Sequence, residues 1–175
     1  MKRGRAVYAH SNHAAAKAWM FACICILWQY LSTFLPASWA VLMICGSGIF
    51  TAPMMVEMEA KHGIALYVGV SLFGIALHGF SIMAPYVLFC GWYPLIRFFL
   101  DEAPDQVMAW TLRLFLFNLC MALCVYWAPV PLFQPYVVYI PFWGVALILN
   151  AAFVLYHVAV GLFAHFYSAV LRPIL

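Results

Sequence analysis

Residues 64–96 read IALYVGVSLFGIALHGFSIMAPYVLFCGWYPLI, 33 positions without one Asp, Glu, Lys or Arg. A helix that crosses a bilayer needs about 20 mostly apolar residues, so this run is too long for one ordinary span and suits two short ones. Gly79 to Pro85 is its natural break, because Gly and Pro punctuate backbone structure. The expectation is a third helix over 64–80 and a fourth over 83–100.

The rest of the chain falls into place around that pair. Upstream, a span over 18–35 stops at Pro36, which cannot continue the backbone ladder. A second span over 38–56 ends in the polar stretch Glu57-Met58-Glu59-Ala60-Lys61-His62. Downstream, Asp101-Glu102-Ala103-Pro104-Asp105 separates the fourth span from a fifth over 107–128. A proline-rich loop, Pro129 to Pro135, leads to a sixth over 137–171. That last run exceeds the membrane thickness and must tilt, kink near Pro141 or project beyond the bilayer. The fold class read from this pattern is an all-α integral membrane protein, six transmembrane helices in a single bundle occupying 1–175, with residues 1–17 as a basic N-terminal segment.

Composition agrees. The chain has 175 residues, 69% hydrophobic and 7% charged, against roughly 25% charged in a soluble domain. So few charges cannot cover a water-exposed surface, which excludes a soluble enzyme and a nucleic-acid binder. Lys and Arg concentrate on cytoplasmic loops. Here Lys2, Arg3, Arg5 and Lys17 precede the first span, Lys61, Arg97 and Arg172 fall at even-numbered boundaries, and Arg113 lies in the fifth span nearest the same face. The opposite loops carry none, so both termini should be cytoplasmic. The first apolar run is longer than the core of a cleavable signal peptide and another follows at once. The six cysteines sit inside apolar runs without a CxxC pair and read as small core residues.

Polar side chains inside spans are costly and therefore informative. Gln29, Asn118 and Asn150 lie on three different spans near mid-membrane. They either tie helices together or floor a polar ligand pocket. Trp28, Tyr30, Tyr126, Tyr139 and Trp143 lie toward the outer side, as interfacial belt residues or as walls for a flat ligand. Amides bond without a charge to desolvate, which favours a neutral or zwitterionic heterocycle. Arg113 is placed to snorkel or to pair with Asp101, Glu102 or Glu57, with a transport or proton-relay role as the alternative. His62 and His165 form the one histidine pair at a common depth for a haem. No catalytic motif and no metal-ligand spacing is present, and no cofactor is expected. Ala14, Ala18 and Ala22 recur every four residues, a stripe that lets another helix approach closely, either inside the bundle or from a partner.

The six-span layout, the cytoplasmic ends, the basic start and the Ala-x-x-x-Ala stripe together resemble the substrate-binding S components of energy-coupling factor vitamin transporters. The resemblance implies a bacterial plasma-membrane subunit that binds a vitamin-like molecule in the outer half of its bundle. It further implies docking on a coupling transmembrane subunit through Ala14, Ala18 and Ala22, with ATPases driving the cycle. No vitamin-specific motif is present, so the substrate stays open. The block Gly91-Trp92-Tyr93-Pro94-Leu95-Ile96-Arg97, followed by Trp110, Arg113, Phe117 and Asn118, is also similar to a pattern in small bacterial membrane proteins of unassigned role. Two other classes fit the layout: a non-catalytic membrane scaffold of the MreD type, and a haem-bearing membrane anchor of a redox complex.

Overall fold

A computed structural model describes the backbone of residues 2–57, 60–127 and 141–173, and the side chains of the same stretches except residues 2–14, 127 and 142. The elements are α1 (Lys2–Ser32), α2 (Ala37–Ser47), α3 (Ala52–Val56), α4 (Ala60–His78), α5 (Phe80–Pro85), α6 (Tyr93–Asp101), α7 (Gln106–Trp127) and α8 (Phe142–Phe166). A 3₁₀ turn (Gly48–Thr51) joins α2 to α3, a π turn (Tyr86–Cys90) follows α5, and a second π turn (Tyr167–Leu171) extends α8. Among the described residues there is no strand.

Among the described residues, six segments are long and apolar enough to cross a membrane: Ala15–Ser32, Ala37–Val56, Ala60–His78, Phe80–Asp101, Gln106–Tyr126 and Trp143–Leu171. Their outward faces are apolar, with Trp19, Leu72, Phe115, Leu147, Leu155 and Leu162 among many large hydrophobic side chains left exposed, more than a water-soluble monomer leaves open. The division of residues 64–96 is made by one residue. Gly79 has φ 78 and ψ 163, a region essentially restricted to glycine, and α5 starts immediately after it. Two boundaries bear on the sequence reading. The basic start continues as helix into the first span, since α1 runs from Lys2. The described part of the sixth segment begins at Phe142, with Pro141 as its N-cap, and the expected start at 137 lies outside the described residues.

The second and fourth segments are mostly buried, whereas no more than a third of each of the other four is buried. The central pair also runs parallel and in register. α2 packs on α5, the 3₁₀ turn on the π turn, and α3 on α6. Each member restarts its helix behind a proline in the first turn, Pro53 in α3 and Pro94 in α6, where the missing N–H is harmless. Around this pair sit two apolar clusters. One is built on Phe89, Phe117, Phe153, Tyr93 and Cys124, the other on Phe21, Ile44, Met54, Met83 and Tyr167.

One end of the bundle is closed by ions. Glu57, at the close of α3, accepts from Lys17 Nζ (3.1 Å) and Tyr167 Oη (2.8 Å) and lies 3.4 Å from Arg172 Nε. Burial pushes its pKa up, but the hydrogen bonds from Tyr167 and Lys17 and the two positive charges outweigh that and hold it below the usual carboxylate range. A carboxylate depressed in the folded state contributes stability that is complete above its unfolded pKa and disappears as pH falls through the folded one. Unfolding in detergent from about pH 7 to about pH 3 should therefore show an acid-side loss of Tm. Glu57→Gln should flatten that limb and lower Tm at neutral pH. An unchanged limb would mean that other carboxylates carry it.

Candidate functional site

The breaks in the central pair lie side by side. A π turn leaves carbonyls without helical partners, and buried carbonyls in an apolar medium must find others. Gly91 N–H donates five residues back to Tyr86 O (2.8 Å). Tyr67 Oη donates to Val87 O (2.7 Å), Trp92 Nε1 to Leu88 O (2.7 Å) and Tyr156 Oη to Cys90 O (2.7 Å). Thr51 Oγ1, from the neighbouring 3₁₀ turn, lies 2.8 Å from Gly48 O and 3.3 Å from Gly91 O. Side chains from α4, the 3₁₀ turn and α8 thus converge on one interrupted stretch of backbone.

Toward the ionic end, the break passes into an aromatic stack. Phe89 meets Tyr93 (centroids 4.8 Å), Phe117 (5.2 Å) and Phe153 (5.6 Å), and Phe117 stacks on Phe153 (4.8 Å). Tyr93 Oη is 2.6 Å from His157 Nδ1, and the His157 ring is 4.7 Å from Trp110. Arg97 donates through Nη1 to His157 O and through Nε to Asp101 Oδ2 (3.1 Å). Arg113, only 2% exposed, donates from Nη2 to Asp101 Oδ1 (2.5 Å) and lies over the Trp110 ring at 5.2 Å. Of the three carboxylates considered for Arg113, the structure selects Asp101. Tyr93, Arg97, Trp110, Arg113 and Phe117 of the 91–118 block, read from sequence only as a pattern, therefore assemble into one column with His157, and Asn118 stands apart from it.

Toward the other end lie two cavities. The larger, about 690 Å³, opens between α7 and α8 and is lined by Asn118, Met121, Tyr126, Val145 and Leu149 among others. The deeper one, about 240 Å³, is bounded by α2, α5, the π turn, α7 and α8 and reaches Cys45, Cys90 and Tyr156. Met121 and Leu149 line both, so the two are neighbours across these side chains. The larger volume falls within the range of small-molecule sites. No family model, curated protein or solved structure matches this chain.

Of the residues proposed to line a pocket, the structure brings some together and separates others. Asn118 and Asn150 form a closed pair, each Nδ2 donating to the partner's Oδ1 (3.0 and 3.1 Å) and to the carbonyl four residues back, Leu114 or Ala146 (both 2.8 Å). Their amide hydrogens are spent, and each Oδ1 keeps one free lone pair. Tyr126 stands beside them on the cavity wall, and Trp143 is exposed on the first turn of α8. Gln29, Trp28 and Tyr30 are elsewhere. Trp28 donates to Met43 O (2.9 Å) on α2, and Tyr30 is exposed next to Phe34. Tyr139 lies outside the described residues. Gln29 is fully buried, with Oε1 so close to Gly74 that a Cβ there would fall 2.7 Å away, and neither amide atom has a hydrogen-bond partner among the described residues. Replacing an unpaired buried amide by an apolar group of similar size removes a penalty of about 1–3 kcal/mol. Gln29→Met should accordingly hold or raise Tm, and a fall in Tm would reveal a partner for the amide.

The alanine stripe and the histidines are also placed. Ala18 and Ala22 are half-buried and line a groove of about 320 Å³ between α1 and α4, opposite Ala65 and Gly69; the side chain of Ala14 is outside the described set. His62 lies in the same groove, and His165 is exposed on α8. His78 Nε2 is 3.1 Å from Ser32 Oγ and 3.0 Å from Gln29 O. Sequence reasoning passed over Thr51, Tyr67 and Tyr156. The signals for the break were Gly48 ahead of Pro53 and Gly91 ahead of Pro94, each a glycine shortly before a helix-starting proline.

Proposed function

We propose that this chain is a membrane-embedded, small-molecule-binding subunit of an uptake transporter. Its ionic end faces the bacterial cytoplasm and its cavities open toward the outer half of the bilayer. The observation that carries this reading is the pair of adjoining cavities that ends on two parallel, interrupted helices. Interrupted backbone at membrane depth is tolerated where protein buries it or where it lines a cavity, and transporters place binding sites at such breaks. Ala18 and Ala22 pack against the apolar cluster of the bundle and face α4; a coupling transmembrane subunit, whose ATPases would power the cycle, would dock over the open side of the groove that they line. Asn118, steadied by Asn150 and flanked by Tyr126, would contact the ligand. Gln29, on another face of the bundle, would not.

The test is to purify the chain from its native membrane in mild detergent and identify co-extracted small molecules by mass spectrometry. One compound should be present near equimolar amounts in the wild type and lost in Ala122→Phe, which fills the larger cavity from an exposed position. A scaffold would carry no such compound, and a haem anchor would show itself by a Soret band.

A further inference from the structure

Resting on the binding reading above, we propose that the ligand is a neutral molecule with an apolar body, seated in the deeper cavity over the floor formed by Phe89, Phe117 and Phe153, and with one hydrogen-bond donor held at Asn118. The chemistry of the walls carries the argument. None of the described residues lining either cavity carries a carboxylate, an amine, a guanidinium or an imidazole. A charge brought there would lose its hydration and find no counter-charge, and an isolated buried ion is the most expensive group to transfer from water. Arg97, Arg113 and Asp101 are no help, because the Phe89, Phe117, Phe153 and Tyr93 stack lies between them and the cavity and their mutual pairing is already made.

The few polar atoms narrow the ligand further. In the deeper cavity Tyr156 has given its hydrogen to Cys90 O and can only accept, and beside it stand the soft, weakly bonding thiols of Cys45 and Cys90, paired with each other. The three phenyl rings on the opposite wall are packed on one another and almost fully buried, so they form an apolar floor and leave no ring face free. In the larger cavity the Asn118 hydrogens are spent, so its Oδ1 accepts and does not donate. A hydroxyl or N–H on the ligand satisfies that lone pair; a carboxylate or a carbonyl oxygen does not. Met121, unbranched and adaptable, stands between the two volumes and suits the role of a yielding side chain at the passage. Zwitterionic heterocycles, admissible from the sequence alone, are disfavoured by this lining.

The experiment uses the full chain in lipid nanodiscs, with empty discs as the partition control, and three probes sharing one ring: 2-naphthylmethanol, 2-naphthoate and 2-naphthylmethylammonium. The alcohol should bind saturably and at least tenfold more tightly than either ion. Ala152→Phe and Leu42→Trp, both exposed positions on the rim of the deeper cavity, should each weaken it tenfold or more without lowering Tm; agreement of the two guards against a folding defect in one. Equal binding of the ions overturns the proposal. So does alcohol binding that survives both rim variants but is abolished by Ala122→Phe, in which case the subunit binds ligand in the larger cavity alone and the functional reading stands. Absence of saturable binding by all three probes overturns the proposal, and the functional reading then falls only if nothing co-purifies with the chain.

Discussion

Asp101→Ala should destabilise the fold by about 3–5 kcal/mol, far more than removal of the buried charge that Asp101 neutralises. The asymmetry follows from exposure. The Asp101 side chain is 46% exposed and that of Arg113 only 2%. Deleting the carboxylate leaves the Arg113 guanidinium buried without an anion, with its Nε already lacking a partner, and strips Arg97 of its own carboxylate contact. Deleting the guanidinium instead, as Arg113→Met, leaves a carboxylate half in solvent and still 3.1 Å from Arg97. That exchange should cost about 1 kcal/mol, because an apolar side chain in place of a buried ion is often close to neutral. The double variant should recover most of the Asp101→Ala loss, a coupling that a double-mutant cycle measures directly by denaturant unfolding in detergent. Equal losses from the two single variants would mean that Arg113 is held by its packing over Trp110 and not by Asp101.

That ion pair was legible from sequence because it depends on depth, which residue counting gives well. Arg113 sits two turns into its helix from the polar stretch that starts at Asp101; Glu102 and Asp105 are nearer along the chain, so counting pointed to the stretch and only the fold selects Asp101 within it. The division at Gly79 was legible for the same reason, since 33 residues exceed one membrane thickness and a glycine stands near their middle. Counting along a helix says little about which way a side chain turns once the helix is packed. Counting grouped Gln29, Asn118 and Asn150, yet Gln29 points into the seam of α1, α4 and α5 while the two asparagines face each other across α7 and α8. A ligand site drawn from depth alone therefore gathered residues from separate faces of the bundle.

The interrupted central pair escaped for a different reason. Composition scores the second and fourth segments like the others, because a 3₁₀ or π turn changes hydrogen bonding and leaves hydropathy untouched. What stabilises the interruptions is nonlocal: Thr51, Tyr67 and Tyr156 come from three elements, and none is near the carbonyl at 87, 90 or 91 in sequence. The trait that was visible, a glycine a few residues ahead of a proline in each segment, acquires meaning only when the two segments lie parallel and their breaks touch. The cavity that ends at this place owes its position to the same geometry, since a continuous helix would carry its side chains past the Cys90 carbonyl that Tyr156 now reaches.

Gly48→Ala should be the most damaging small substitution in the central pair, and Gly46→Ala, two residues away, should be harmless or better. At Gly48 an added Cβ would run into the Cys90 carbonyl oxygen and lie 2.6 Å from Tyr156 Oη. The obstacle includes backbone, so no rotamer change relieves it. The 3₁₀ turn has to move away from the π turn, and Tyr156, displaced as well, loses its bond to Cys90 O and leaves a buried carbonyl unpaired. Overpacking of this kind costs about 1–3 kcal/mol, and the unpaired carbonyl adds about 1–3 kcal/mol more. At Gly46 no atom lies within 4 Å of the added carbon, and the residue is inside α2, where alanine is better than glycine by about 0.5–1 kcal/mol. Thermal unfolding of the two variants should therefore move in opposite directions from the wild type. Gly48→Ala should also open the seam beside the deeper cavity, so any ligand held there should dissociate faster even below Tm. If Gly48→Ala instead unfolds with Gly46→Ala, the two breaks do not touch as described, and the site built on their contact is wrong.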